Sequence, residues 1–530
     1  MSLNPEHHER ELSEQARRAA QLFDWNTVGE AAARILGRNP DSAEGHFLRG
    51  LHCKGLGLHR PALQAFSAAL KLDEARYDAA IELADQLVIA QNNAAANTLL
   101  DAYVPMLSNS PRYLDMAGTA FDSIGLPEKA WPLYKRATTL QPDIELFRAN
   151  LAACSAYLGK VDDAESLYRG LLDRKPSHQR NHHHLSRLKK ATDRSHVDWM
   201  ISILDREQLP PDRNVFLYFA IAKELEDLKD WDLAFDYYAR GCDAVSSRMT
   251  YDVSQDIQII DRIISVCTAD WLAEDKPRRP QNAEKTPIFI VGLPRTGTTL
   301  VERILESHSS VQSLGETQFL PRAVRDASGC HTREQIALEI IDACAGIDVD
   351  RIAGSYLSSA EYRLGPERFF IEKLPYNDLY LGLIAKAFPE ARLVSLRRHP
   401  MDACFSMYKQ VFTWAYKYSY SQENLARYYA AHARLHEHWK NLLGDRLIEV
   451  SYEELIREPE PQISALLHRL GLEFEPECMN FHANPSACTT ASAMQVRRPI
   501  YPDSVGKWRQ FSTHLEPLRV ALLNEGIPVP

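Results

Sequence analysis

Apolar positions recur through the first half of the chain at a spacing of 34 residues. Gly50, Ala84, Gly118, Ala152 and Ser186 form a series of small residues, and Ala62, Ala96, Ala130 and Ala164 form another. Phe66, Leu100, Tyr134 and Tyr168 form a series of large ones, and Pro40, Pro142 and Pro176 punctuate the same register. A period of this length predicts stacked helix pairs. Small residues let the two helices of a pair approach, and the large residue fills the space beside them. Proline cannot continue the second helix but can begin the next one. Beyond residue 190 the register slips by two, and Ala222, Ala234 and Tyr238 mark a further, irregular repeat. After residue 287 the pattern changes. "PIFIVG" (287–292), "RFFIEK" (368–373), "ARLVSLR" (391–397) and "RLIEVS" (446–451) are short apolar runs separated by amphipathic stretches. Such alternation predicts a parallel sheet covered on both faces, with ligands at the C-terminal ends of its strands. The polar, proline-rich "AEDKPRRPQNAEKTP" (273–287) lies between the two patterns and reads as a linker.

The phased series resemble the tetratricopeptide repeat family over residues 9–190. That resemblance implies a solenoid whose concave groove binds peptide, or one that serves as scaffold or homodimer contact. The expected organisation is an all-α tetratricopeptide-like solenoid over 1–272, a linker over 273–286, and an α/β domain with a phosphate-loop-like parallel sheet over 287–530. A length of 530 residues agrees with more than one core.

Composition narrows the function. A net charge of −10 argues against general nucleic-acid binding, whose footprint is usually basic. The first twenty residues hold no apolar run, and no stretch approaches the roughly 18 apolar residues of a membrane helix. The nine cysteines are scattered, without a C-x-x-C pair, and read as reduced core thiols. These features point to a cytoplasmic chain without membrane contact and without a metal. The tract "NHHHLSR" (181–187) reads as histidines spread around a helix, because adjacent helical residues point about 100° apart and cannot converge on one ion.

The chemistry is carried at the predicted strand ends. "GLPRTGTT" (292–299) has the glycine spacing of a phosphate-binding loop, but Thr298 stands where such a loop carries lysine, and Arg295 precedes the second glycine. Glycines let backbone N–H groups close on an anion at a helix N-terminus. Without the lysine, hydrolysis of a nucleoside triphosphate is not expected. "SLRRHPMDACFS" (395–406) places Arg398 at the end of another predicted strand and Ser406 in the helix that follows. An arginine fork and a hydroxyl there make a second phosphate site. Two phosphate sites without Mg²⁺ machinery suit a nucleoside phosphorylated at both ends.

On these motifs the second half resembles the sulfotransferases that use 3′-phosphoadenosine 5′-phosphosulfate, over residues 287–515. The resemblance implies that Arg295, Thr296, Gly297, Thr298 and Thr299 cradle the 5′-phosphosulfate, and that Arg398 and Ser406 hold the 3′-phosphate. Within that family the pattern is most similar to the tyrosylprotein sulfotransferases. "SLGETQFLPRAV" (313–324) then supplies Glu316 as the base that takes the acceptor's proton. "EKLP" (372–375) supplies Lys373, which with Arg295 stabilises charge on the transferring group. "ASAMQVRRPIYPDSVGKWRQF" (491–511) resembles a loop that covers the nucleotide, with Arg498 and Lys507 reaching its phosphates and Ser492 near the substrate. Tyr452 matches a tyrosine facing the nucleotide. The aromatic tract "MYKQVFTWAYKYSY" (407–420) has the spacing of core, with an acceptor pocket as the alternative.

The expected activity is sulfuryl transfer to a hydroxyl, with tyrosine of a peptide or protein as the first acceptor. The L-G-E-T segment, the repeats and the missing anchor depart from the animal enzymes. They leave open a small-molecule or saccharide acceptor, and a non-catalytic peptide-binding scaffold.

Overall fold

The computed structural model describes residues 5–273, 285–332, 334, 336–412 and 415–530. It forms two compact units, Met1–Ser155 and Ala156–Pro530. The helices between residues 161 and 246 thus share a unit with the sheet. Residues 274–284 of the expected linker lie outside the described residues.

The first unit is a succession of antiparallel helix pairs, among them Ala43–Gly55 with His59–Leu72 and Pro111–Ser123 with Pro127–Leu140. The repeat period has a direct packing cause. A Cβ built on Gly50 would stand 2.4 Å from the Phe66 ring, and one on Gly118 2.8 Å from Tyr134. Phe66 is fully buried and cannot give way. Gly50→Ala is therefore expected to cost about 1–3 kcal/mol by overpacking. Gly37→Ala, where a Cβ would meet nothing within 4 Å, should be neutral or slightly stabilising. Urea unfolding of both variants checks this, and equal effects would contradict the packing explanation.

In the second unit five parallel strands, β1 (Thr286–Val291), β2 (Val311–Ser313), β3 (Phe369–Glu372), β4 (Arg392–Arg397) and β5 (Leu447–Ser451), lie in the order β2-β3-β1-β4-β5. Successive side chains of β1 enter different cores. Ile288 and Ile290 pack with Val301, Ile371 and Val394, whereas Phe289 and Val291 join Tyr356, Phe370 and Leu393 on the other face. A strand buried on both faces reads as a continuous apolar run, which is why all four longer strands were legible. β2, at three residues, was not expected.

The cluster holding Phe289 also takes in Leu217, Phe219, Phe235 and Tyr238 from the helices Val215–Asp227 and Trp231–Ser246. Phe235 stacks on Tyr408, and the Cys242 thiol donates to the Tyr408 carbonyl at 3.3 Å. Met407, Tyr408, Tyr418 and Tyr420 are buried, so these members of the aromatic tract are core. Thr413 and Trp414 of that tract lie outside the described residues.

The topology reverses between β1 and β4. From β1 the chain fills one side of the sheet with β2 and β3, then crosses to β4 and β5 on the other. The loops leaving β1 and β4 therefore diverge and open a crevice between them.

Candidate functional site

The loop after β1 runs from Gly292 to Gly297 and opens the helix Thr298–Glu306. Gly297 adopts φ +107°, and a Cβ there would stand 2.5 Å from the Tyr452 ring. Any other residue would meet both backbone strain and that ring. Arg295 is also left-handed, at φ +67°, a conformation uncommon for a residue other than glycine. Thr296 and Thr298 are buried, with Thr296 Oγ1 donating to the Leu293 carbonyl at 2.6 Å. Thr299, one position into the helix, lies 3.3 Å from Thr490 Oγ1.

A cavity of about 760 Å³ opens at the β1–β4 crevice. From the loop, Arg295, Gly297 and Thr299 line it, and from the segment after β4, Arg398 and Ser406 do so. Tyr452, Ser492, Arg498 and Lys507 complete the set that the sequence placed around a nucleotide. Thr296 and Thr298 do not reach it.

Arg295 donates to Ser492 Oγ, and to Gln495 Oε1 at 3.2 Å. Arg398 donates to the Arg295 carbonyl at 2.8 Å and to the Ser504 carbonyl at 2.6 Å, and its guanidinium lies 4.6 Å over the Tyr452 ring. Tyr452 is fixed in turn by a 2.6 Å hydrogen bond between its hydroxyl and Ser504 Oγ. The Nε groups of Arg295 and Arg398 are buried and find no hydrogen-bond partner among the described residues. Burial, with the charges of Arg187 and Arg398 nearby, lowers Arg295 to about 10. Arg498 is exposed and lies over Tyr501. Lys507 sits over Trp231, 3.5 Å from Glu226.

Glu316 and Lys373 form a second cluster, and neither lines the cavity. Lys373 is fully buried at the end of β3 and donates to Glu316 Oε1, with Glu302 Oε2 3.5 Å away. Burial disfavours the ammonium, but the two carboxylates outweigh it and hold the Lys373 pKa above its ordinary value. Glu302 is itself held by Ser313 Oγ at 2.7 Å. The two clusters share a helix: Thr299 and Glu302 lie three positions apart on Thr298–Glu306 and hence on one face.

Several contributors escaped sequence reasoning. Glu302 and Lys409 carry no motif of their own, and Gln495 and Ser504 lie inside the 491–511 segment without a role assigned to them there. Glu302 could have been found as the helix position facing the β3 end. Lys409 bonds both oxygens of Glu226 at 2.9 Å, and Glu226 comes from the repeat helix Val215–Asp227. Of the three consecutive histidines, His182 and His183 are buried and His184 is exposed. His182, pushed down to about 4 mainly by burial, bonds His196 at 2.9 Å and the Pro176 carbonyl at 2.7 Å. No group of three or more side chains able to hold a metal occurs among the described residues. Nor, among them, is any helix long and apolar enough to cross a membrane.

Residues 287–476 match the Sulfotransferase family. An uncharacterized Aquifex aeolicus protein is 32% identical over 352 residues, covering 64% of this chain. The chain spans 45% of the length of that relative. Protein-tyrosine sulfotransferase 2 of Gallus gallus is 23% identical over 42% of this chain and 62% of its own length. Among solved structures, the tetratricopeptide-repeat protein YrrB, which has an unusual peptide-binding site, is similar at 17% identity and a TM-score of 0.29, over 39% of this chain and 97% of its own. The match to the Sulfotransferase family thus falls on the domain built on the parallel sheet, which follows an array of antiparallel helix pairs in the chain.

Proposed function

We propose that the chain transfers a sulfuryl group from 3′-phosphoadenosine 5′-phosphosulfate to an acceptor hydroxyl, preferentially a tyrosine of a peptide or protein. The observation that carries this reading is the convergence of Arg295 and Arg398 on one cavity, bonded only to neutral oxygens and each with a buried Nε left over. A buried Nε–H without a partner on a half-buried guanidinium is costly, and an anion bound between the two arginines offsets that cost. A ligand with one anion at each end of a nucleoside fits two such sites.

In this reading the loop from Arg295 to Thr299 takes the 5′-phosphosulfate and Arg398 with Ser406 takes the 3′-phosphate. Tyr452, Arg498 and Lys507 complete the nucleotide site. The bound donor supplies the S–O bond that breaks. Glu316 accepts the hydroxyl proton as the acceptor oxygen bonds to sulfur, and the electron pair of the broken bond leaves with the phosphate oxygen. Lys373 and Arg295 stabilise that developing charge. Ser492, bonded to Arg295, borders the substrate side. The repeats over residues 1–272 present a groove to the acceptor segment, and the tyrosine assignment draws support from the relatives that bear that name.

Arg398→Ala is expected to weaken binding of adenosine 3′,5′-bisphosphate by about 1.5–3 kcal/mol, the worth of a charged hydrogen bond. Calorimetric titration measures it, and an unchanged affinity would remove Arg398 from the site. For the acceptor, incubation of a peptide array with labelled donor should mark tyrosine-containing spots. A blank array alongside label on a small phenol or saccharide would move the acceptor to those classes. Nucleotide binding without turnover on any acceptor would point instead to a scaffold.

A further inference from the structure

The cavity at the β1–β4 crevice contains a third half-buried arginine that comes from neither the loop nor the β4 segment. Arg187 lies on the repeat helix Gln179–Leu188 and lines the same cavity as Arg295 and Arg398. Its Nη2 donates to the Ala491 carbonyl at 2.6 Å. The next residue, Ser492, accepts from Arg295. Two arginines from distant parts of the chain thus grip adjacent residues of one segment, and their charges repel across the cavity.

The charges of the cavity wall can be paired off. Its acidic residues are Glu226, Asp227 and Asp503. Glu226 is taken by Lys409 and Lys507, Asp227 by Lys223 at 2.7 Å, and Asp503 by Lys190 at 3.3 Å. Those four lysines are therefore spoken for, and no acid of the cavity wall is left for the three arginines. Among the described residues neither Arg187 nor Arg295 nor Arg398 forms an ion pair with a carboxylate. Three half-buried guanidinium groups lining one cavity without a counter-charge repel one another, and an anion from outside the chain would offset that repulsion.

Resting on the donor assignment above, we infer that Arg187 is a further binding residue for the 5′-phosphosulfate end of the donor, supplied by the helical repeats. Its link through Ala491 and Ser492 to Arg295 places it at that end. Arg398 reaches Arg295 only at its backbone carbonyl, and its other nitrogen is tied to the Ser504 carbonyl, away from Ala491 and Ser492. The repeats then complete the donor site as well as presenting an acceptor.

The test uses the full chain and three probes: adenosine 5′-phosphosulfate, adenosine 3′-monophosphate and adenosine 3′,5′-bisphosphate. Arg187→Gln should weaken the first and third by roughly 10- to 100-fold and leave the second within about twofold. Arg398→Ala should weaken the second and third and spare the first. Arg187→Lys retains the charge and a donor to Ala491. It should keep the wild-type melting temperature and lose less than Arg187→Gln. Unchanged affinity of Arg187→Gln for adenosine 5′-phosphosulfate, or equal losses for all three probes in both Arg187 variants, would overturn the inference while leaving the donor assignment intact. Failure of the wild-type chain to bind any of the three would overturn both.

Discussion

Replacing Glu316 by Gln is expected to lower turnover by about 10²–10⁴-fold, the usual worth of a positioned general base. Affinity for adenosine 3′,5′-bisphosphate should stay within about twofold. Both expectations follow from where the residue sits. Its side chain is 40% exposed, so the substitution buries no new unpaired group. Lys373 keeps Glu302 as a partner 3.5 Å away, and the amide can still accept its hydrogen bond. Glu316 does not line the cavity that holds the arginines, so the nucleotide should not sense its loss. Single-turnover transfer with labelled donor, beside calorimetric titration of the bisphosphate, separates the two effects. A fall in nucleotide affinity matching the fall in turnover would make Glu316 a binding residue and leave the base unassigned. A variant that retained wild-type turnover would remove it from the chemistry.

The split between base and cavity bears on what the sequence could reveal. The loop residues and the Arg398–Ser406 pair were legible because each belongs to one short segment at a strand end. There the local pattern alone dictates the geometry: a glycine turn, a proline at a helix start, a fixed interval. Arg187 obeys no such pattern. It follows Ser186 in a repeat whose period reports helix packing only, and nothing local says which residue of the helix faces another fold. The same holds for Glu226, whose partners Lys409 and Lys507 lie far along the chain. β2 is too short for its period to register. The 34-residue phase corresponds to helix pairs, yet phase says nothing about which pairs pack with the sheet. The helices from residue 161 to 246 do so, because Leu217, Phe219 and Phe235 belong to the same core as Phe289. Periodicity identifies an element, whereas the partner of its buried face is decided by contacts distant in sequence.

Lys373→Met should affect stability as well as turnover. The ammonium is fully buried between Glu302 and Glu316. Glu316 can turn to solvent, but Glu302 is buried and would be left without its counter-charge. Breaking one side of a buried ion pair typically costs about 3–5 kcal/mol. The lower end is expected here, since only one carboxylate is stranded. Adding Glu302→Gln to Lys373→Met removes that charge and leaves an amide oxygen to accept from Ser313. The double variant should therefore recover most of the lost stability in urea unfolding. It should recover none of the activity, which both variants should lose by about 10²–10³-fold if Lys373 stabilises the departing oxygen. The pH dependence has a definite sign. The folded-state pKa of Lys373 is raised above 10.5, so the stabilisation is fully present below that value and is lost as pH rises through the folded pKa. Wild type should lose this component only in strong alkali, and Lys373→Met should lack it at every pH. Recovered stability with recovered turnover in the double variant would mean that Lys373 only neutralises Glu302. Recovered stability without turnover leaves charge at the reacting group as its remaining role.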